Sequence, residues 1–233
     1  MRGVFSSIGR VRALVAAVLF LAVVSTPLSA CAAGDRAILW AIVTNCVDAS
    51  RADYCTTCRW PRVDSTCPHK SECRNTTEVW AESADFVALR DMKMCGCPAG
   101  FVHGLAIPRA RVTGVEDPRR PDGIWVFAWG AALRQMGNDP AIALVVNPMA
   151  RRSQDQLHVH LLRLRDDARQ RIAQRPGDRV PTLDRVWKVA AQRAEASGLT
   201  DYGVLVVGHP EGGFVVLVEK DSPEEMYTDW RCH

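Results

Sequence analysis

The run Ser153-Gln154-Asp155-Gln156-Leu157-His158-Val159-His160-Leu161-Leu162 alternates polar and apolar side chains from residue 156 onward. Successive side chains of a strand point to opposite faces. Leu157, Val159 and Leu161 therefore share one face, and Gln156, His158 and His160 share the other. The aliphatic face has a plain task as core. Its opposite carries three polar groups spaced about 7 Å apart, a track with no packing rationale. Three readings fit it: histidines on a solvated sheet face, a metal-chelating pair, or a catalytic row. No His or Cys at the usual ligand spacing accompanies the pair, which weighs against the metal.

Outward from this run, Ala141 to Val146 reads as an almost wholly apolar strand turned by Asn147-Pro148, and Gln154 to Leu164 as its returning partner. Asp85 to Arg90 and Phe101 to Ile107 read as two further strands, the second closed by Pro108. A helix is predicted from about Gly123 to Met136, with Ile124, Phe127, Ala128, Ala131 and Leu133 along its apolar side. Another follows from Thr182 to Ala196 and ends at Gly198. Gly203–Gly208 and Phe214–Glu219 bracket His209-Pro210-Glu211-Gly212-Gly213 as a hairpin. Strands meeting in hairpins, with helices interrupting them, give an α+β class with a largely antiparallel sheet.

The N-terminal part has another character. Arg2, Arg10 and Arg12 precede an apolar run from Ala13 to Val24, the pattern of a secretory signal or an N-terminal anchor over residues 1–30. Leu28-Ser29-Ala30-Cys31 matches a bacterial lipobox, making Cys31 the candidate lipidation site. Ordinary cleavage near Ala30-Cys31-Ala32 and an uncleaved helix are the alternatives. All three place residues beyond about 35 in an extracytoplasmic space, and two keep them at a membrane surface of the bacterial cell envelope. Removing those three arginines from 29 basic side chains leaves 26, equal to the 26 acidic ones. A near-neutral domain gives no field for nucleic acid, so no such partner is expected.

Residues 31–76 form a cysteine-rich segment ahead of a domain over 77–233. Ile38, Leu39, Ile42 and Val43 suggest one short helix within it. Eight cysteines remain besides Cys31: Cys46, Cys55, Cys58, Cys67, Cys73, Cys95, Cys97 and Cys232. An even number in an exported chain points to disulfides. Zinc is the rival, through Cys55-x2-Cys58 with Cys67 and Cys73, but a second tight pair is missing.

These residues resemble the histidine-triad superfamily, whose signature is His-x-His-x-His followed by two apolar residues. Gln156 stands in the first triad position, His158 in the middle and His160 third, before Leu161 and Leu162. Ser153 falls where the superfamily has a phosphate-contacting serine. Asn147 matches its active-site asparagine in kind, though the intervening loop is two residues short. His103-Gly104-Leu105-Ala106-Ile107-Pro108-Arg109 is similar to its strand of histidine, apolars, proline and a basic residue. Within the superfamily, Arg152 to His160 resembles the central motif of the CDP-diacylglycerol pyrophosphatase family, glutamine in the first position included. Asp85 to Asp91, Trp125-x3-Trp129 and the hairpin from Tyr202 to Leu217 resemble that family's other blocks. The likeness covers about residues 85–220 and leaves the cysteine-rich segment out.

The resemblance implies a histidine-triad-like fold and hydrolysis of the CDP-diacylglycerol diphosphate to CMP and phosphatidate. His158 would attack the cytidylyl phosphorus, with its other ring nitrogen bonded to a backbone carbonyl. His160 and Gln156 would flank it, and Ser153 and Asn147 would donate to phosphate oxygens. His103 is a further candidate there. No cofactor and no metal are expected, and the lipid substrate is the expected partner. Two other functions remain open: a different nucleotide-phosphate hydrolase or transferase of the superfamily, and a disulfide-stapled envelope lipoprotein without catalysis.

Overall fold

Strand β5 (Val159–Arg163) lies near the middle of the sheet in the computed structural model, which describes residues 35–68, 72–175 and 177–232. The leader expected at residues 1–30 and the lipidation site at Cys31 lie outside those residues. Alternation predicted a longer strand from Gln154, but the chain from 154 to 158 is a loop. Its polar groups are taken by other partners. Asp155 N donates to Arg36 O, Leu157 N to Val112 O, and the Gln156 amide to the carbonyls of Pro108 and Ala110. A backbone satisfied in this way has no ladder to join.

Around β5 the chain builds an antiparallel sheet from β1 (Val79–Glu82), β2 (Phe86–Arg90), β3 (Gly104–Pro108), β4 (Ile142–Val146), β6 (Asp178–Val180), β7 (Gly203–Gly208) and β8 (Phe214–Glu219). The spatial order is β1-β2-β3-β5-β4-β7-β8-β6. His160 lies opposite Leu105 on β3 and Val145 on β4. This is the expected α+β class with its antiparallel sheet. β1 and β6, of four and three residues, are too short and too little buried to show a period.

One face of the sheet is covered by α3 (Gly123–Met136) and α5 (Val186–Ala196). Ala88, Ala106, Leu144, Val159, Leu161, Val204 and Val206 meet Ile124, Trp125, Ala128, Trp187 and Ala190 there. Each large aliphatic side chain buried in that layer contributes about 2–3 kcal/mol. α3 has the predicted bounds. The second predicted helix starts later, because Leu183–Arg185 is a 3-10 turn and Thr182 makes no side-chain cap. It stops as predicted at Gly198, whose φ of +66° suits glycine.

The other face is covered in two pieces. Over β2 and β3 lies the cysteine-rich segment, with α1 (Ile38–Asn45) and α2 (Tyr54–Thr57). Leu39, Ile42, Val43 and Tyr54 pack there on Val87, Leu89, Leu105 and Ile107. Over β4, β7 and β8 lie α4 (Ala168–Ala173) and α6 (Pro223–Tyr227), with Ala168, Ile172 and Tyr227 against Ala143, Val145, Leu162 and Leu205. All eight cysteines are paired: Cys46–Cys58, Cys55–Cys67, Cys73–Cys95 and Cys97–Cys232. The disulfide reading therefore holds over the zinc reading. The last bridge joins residues 135 apart and brings the C-terminal tail back to the turn between β2 and β3.

Candidate active site

His158 and His160 project from the second face into the gap between its two covering pieces, with ring centroids 4.7 Å apart. A cleft of about 230 Å³ opens there. Its floor holds His158, His160, Asp91, Lys93 and Ser153, while Ile38, Leu39, Ile42, Trp60, Leu89 and Leu105 form an apolar wall. The wall is fastened to the loop that leads into β5: Leu39 N donates to Gln154 Oε1 at 3.1 Å and Arg36 Nε to Asp155 Oδ1 at 2.8 Å. A roomier basin by Arg62, Glu82 and Arg109 lies away from the histidines. Its Arg62 and Arg109 both pair with Glu82.

Hydrogen bonding assigns the tautomers of His103, His158 and His160. His158 Nδ1 sits 2.7 Å from Gln156 O; a carbonyl only accepts, so Nδ1 carries the hydrogen and Nε2 a free lone pair. His103 Nδ1 likewise donates to Trp230 O at 3.2 Å. Its Nε2 must then accept, and His160 Nδ1 donates to it at 2.9 Å. His160 Nε2 accepts in turn, facing Asn147 Nδ2 at 3.4 Å. The Asn147 amide cannot flip, because Ser222 Oγ donates to its Oδ1 at 2.8 Å and its Nδ2 donates to Glu224 Oε2 at 2.5 Å.

Burial holds these imidazoles neutral. Desolvation dominates in all three. It pushes His103 down to about 3, with the Lys93 charge adding to it. His160 lies well below the ordinary histidine value, with the neighbouring His158 and His103 adding to desolvation. His158 is lowered too, against the opposing pull of its carbonyl bond and of Glu224 and Asp91. Desolvation raises the Asp91 carboxyl. The ligand atoms of Asp91, His103 and His160 lie within 4.8 Å of one another, a spacing that could hold an ion. However, the two facing ring nitrogens are already bonded to each other, and the Lys93 ammonium sits beside them on Glu224.

Of the predicted residues, His158, His160, His103 and Asn147 form one connected group, with Ser153 exposed at the cleft. Gln156 is not among them. Its amide donates to Pro108 O at 2.9 Å and Ala110 O at 2.8 Å, and it borders a separate depression with Trp40 and Arg111. Arg151 and Arg152 are turned elsewhere, toward Asp221 and Glu116.

Asp91, Lys93, Ser222, Glu224 and the Trp230 carbonyl escaped the sequence reading. Ser222-Pro223-Glu224-Glu225 carried a usable signal, since a serine three residues before a glutamate is a helix-start pattern. Ser222 Oγ does accept from Glu225 N at 3.2 Å.

Comparison with known proteins matches residues 34–197 to the family described as CDP-diacylglycerol pyrophosphatase. A probable CDP-diacylglycerol pyrophosphatase of Mycobacterium leprae (strain TN) is 40% identical over 68 residues. That stretch spans 24% of this chain and 25% of the relative. Ser222, Glu224, Trp230 and Cys232 fall beyond both the family match and the predicted motifs.

Proposed function

Because the chain belongs to the CDP-diacylglycerol pyrophosphatase family, we propose that it hydrolyses CDP-diacylglycerol to CMP and phosphatidate through a cytidylyl-histidine on His158. The observation that carries this is the bond from His158 Nδ1 to Gln156 O. It leaves a neutral imidazole whose Nε2 lone pair is free in the cleft, as an attack on phosphorus requires. The histidine-triad reading of the site rests on His158 and His160, since the Gln156 amide is bonded to carbonyls away from them.

In the first step Nε2 of His158 bonds to the cytidylyl phosphorus. The bond from that phosphorus to the bridging oxygen breaks, and phosphatidate leaves with the electron pair. In the second step water attacks the same phosphorus and the P–N bond breaks. CMP departs, the water proton passes to solvent, and the imidazole is neutral again. Splitting one displacement into two lowers each barrier. Asn147, through His160, keeps the neighbouring ring fixed, and Ser153 offers a hydroxyl at the mouth for a phosphate oxygen.

The same reading places the domain at an extracytoplasmic membrane face, anchored through Cys31 or through the apolar run before it. Four disulfides favour an oxidising compartment, and a tethered enzyme meets a bilayer substrate at high effective concentration. No helix among the described residues is long and apolar enough to cross a membrane. Purified protein with CDP-diacylglycerol in detergent, followed by chromatography, should yield CMP and phosphatidate in equal amounts. CDP with diacylglycerol, or no products, would refute the reading.

A further inference from the structure

Among the described residues, three cations line the cleft: Arg74, Arg90 and Lys93. Arg90 is committed to structure, with Nε on Glu78 at 3.0 Å and Nη2 on Cys73 O at 2.9 Å, and its side chain is only 8% exposed. Arg74 is exposed, on the turn beside the stretch 69–71. Lys93 differs from both. Its Nζ is 2.7 Å from Glu224 Oε1 and 5.0 Å from the Trp230 ring centroid, while its side chain remains 35% exposed in the cleft.

Glu224 Oε1 lies 3.4 Å from His103 Nε2 and 3.6 Å from His160 Nδ1, so the ammonium is held beside the histidine group. An ammonium has three donors. Glu224 uses one, and the others are available to oxygens in the cleft. Glu224 and Trp230 come from the C-terminal segment, which Cys97–Cys232 staples beside Lys93.

Resting on the hydrolysis proposed above, we infer that Lys93 is a further catalytic residue, which binds the phosphate of the departing phosphatidate, and that Glu224 and Trp230 position its ammonium. When the bond from the cytidylyl phosphorus to the bridging oxygen breaks, the electron pair stays on that oxygen. Phosphate is a stable anion near neutral pH and needs no proton to leave. Lys93 keeps its protons and supplies hydrogen bonds and charge to the developing dianion, where a fixed cation in a water-poor cleft has most effect.

The test compares leaving groups. CDP-diacylglycerol departs as a phosphate; the 4-nitrophenyl ester of CMP presents the same cytidylyl phosphorus to His158 but departs without one. In the full chain, Lys93→Gln should lower kcat on CDP-diacylglycerol by about 100-fold or more and on the nitrophenyl ester by less than about fivefold. Lys93→Arg should restore most of the loss. Trp230→Leu, which removes the ring beside the ammonium and keeps the backbone carbonyl that holds His103, should show the same selectivity in smaller measure. A ratio of the two activities that stays at the wild-type value in Lys93→Gln and Trp230→Leu overturns the assignment of Lys93. Wild-type protein that cleaves neither substrate refutes the hydrolysis itself, a separate outcome.

Discussion

The two faces of the sheet are built from the same strands by opposite rules. Under α3 and α5 the strands present Leu144, Val159, Leu161 and Val206 to one continuous apolar layer. The reverse side of β3, β4 and β5 is covered in two separate pieces, and the gap between them holds three buried histidines and a buried glutamate. The first face is held by burial alone and tolerates conservative aliphatic exchange. The second places polar groups where water is scarce, so each must find a partner or cost stability. The proposed site lies where the apolar covering is interrupted.

Paired substitutions on one strand separate the two faces most sharply. His158→Ala should drop turnover by several orders of magnitude with little change in Tm, because it removes the proposed nucleophile. Leu161→Ala, fully buried on the helix-covered face, should do the reverse. Chemical denaturation should show a loss of about 2–5 kcal/mol, while the folded fraction keeps its kcat. If both mutants lose activity and stability together, the division of labour is wrong.

Next in size are the groups around the nucleophile. His160→Ala and Ser153→Ala should each cost roughly 10²–10³ in kcat or less. Asn147→Ala removes the amide clamped between Ser222 and Glu224 and should fall in the same range. Steady-state kinetics with CDP-diacylglycerol decides these. A His160→Ala loss as large as that of His158→Ala would shift the nucleophile's role to His160.

Acid should harm the histidine face first. His158 is faced by Asp91, Lys93, His103, His160 and Glu224, and its lowered pKa keeps it neutral below the ordinary value of 6.5. The acid limb of kcat/KM should therefore lie below pH 6.5. His103 is the clearest stability case. Its folded pKa of about 3 lies below the unfolded 6.5, so the unfolded chain binds more protons between those values. Its contribution is whole above 6.5 and shrinks as pH falls toward 3, at up to about 1.4 kcal/mol per pH unit. Urea titrations at pH 7, 5 and 4 should show that decline, and His103→Gln should make it shallower.

Chelation should have the smallest effect. EDTA is expected to leave the rate within about twofold, since the facing nitrogens of His103 and His160 are bonded to each other and the cleft carries its own ammonium. Restoration of an EDTA-killed enzyme by zinc would instead make Asp91, His103 and His160 a ligand set.

The helix-covered face was legible because its signal is local. Alternation marked Val159 and Leu161 as core, and Ile124, Ala128 and Ala131 marked the helical stripe that covers them. His158 and His160 were legible for the same reason in negative, as polar side chains with no packing use. Gln156 shows where that logic stops. Alternation put it beside the histidines, yet the strand begins only at Val159 and the Gln156 amide is spent on the carbonyls of Pro108, at the end of β3, and of Ala110 just beyond it. Lys93, Glu224 and Trp230 lie in short turns and a five-residue helix without periodicity. The Cys97–Cys232 bridge staples the C-terminal segment of Glu224 and Trp230 beside Lys93, and cysteine spacing does not reveal pairing.

The most direct test of the account is to trap the intermediate. CDP-diacylglycerol labelled in the cytidylyl phosphate is mixed with the enzyme, and the reaction is quenched in alkali, where phosphoramidates survive. Label should stay on the wild-type protein, map by mass spectrometry to the peptide holding His158 with the mass of a cytidylyl group, and be missing from His158→Ala. Label on another residue, or an active enzyme that never retains label in single-turnover experiments, would contradict nucleophilic attack by His158.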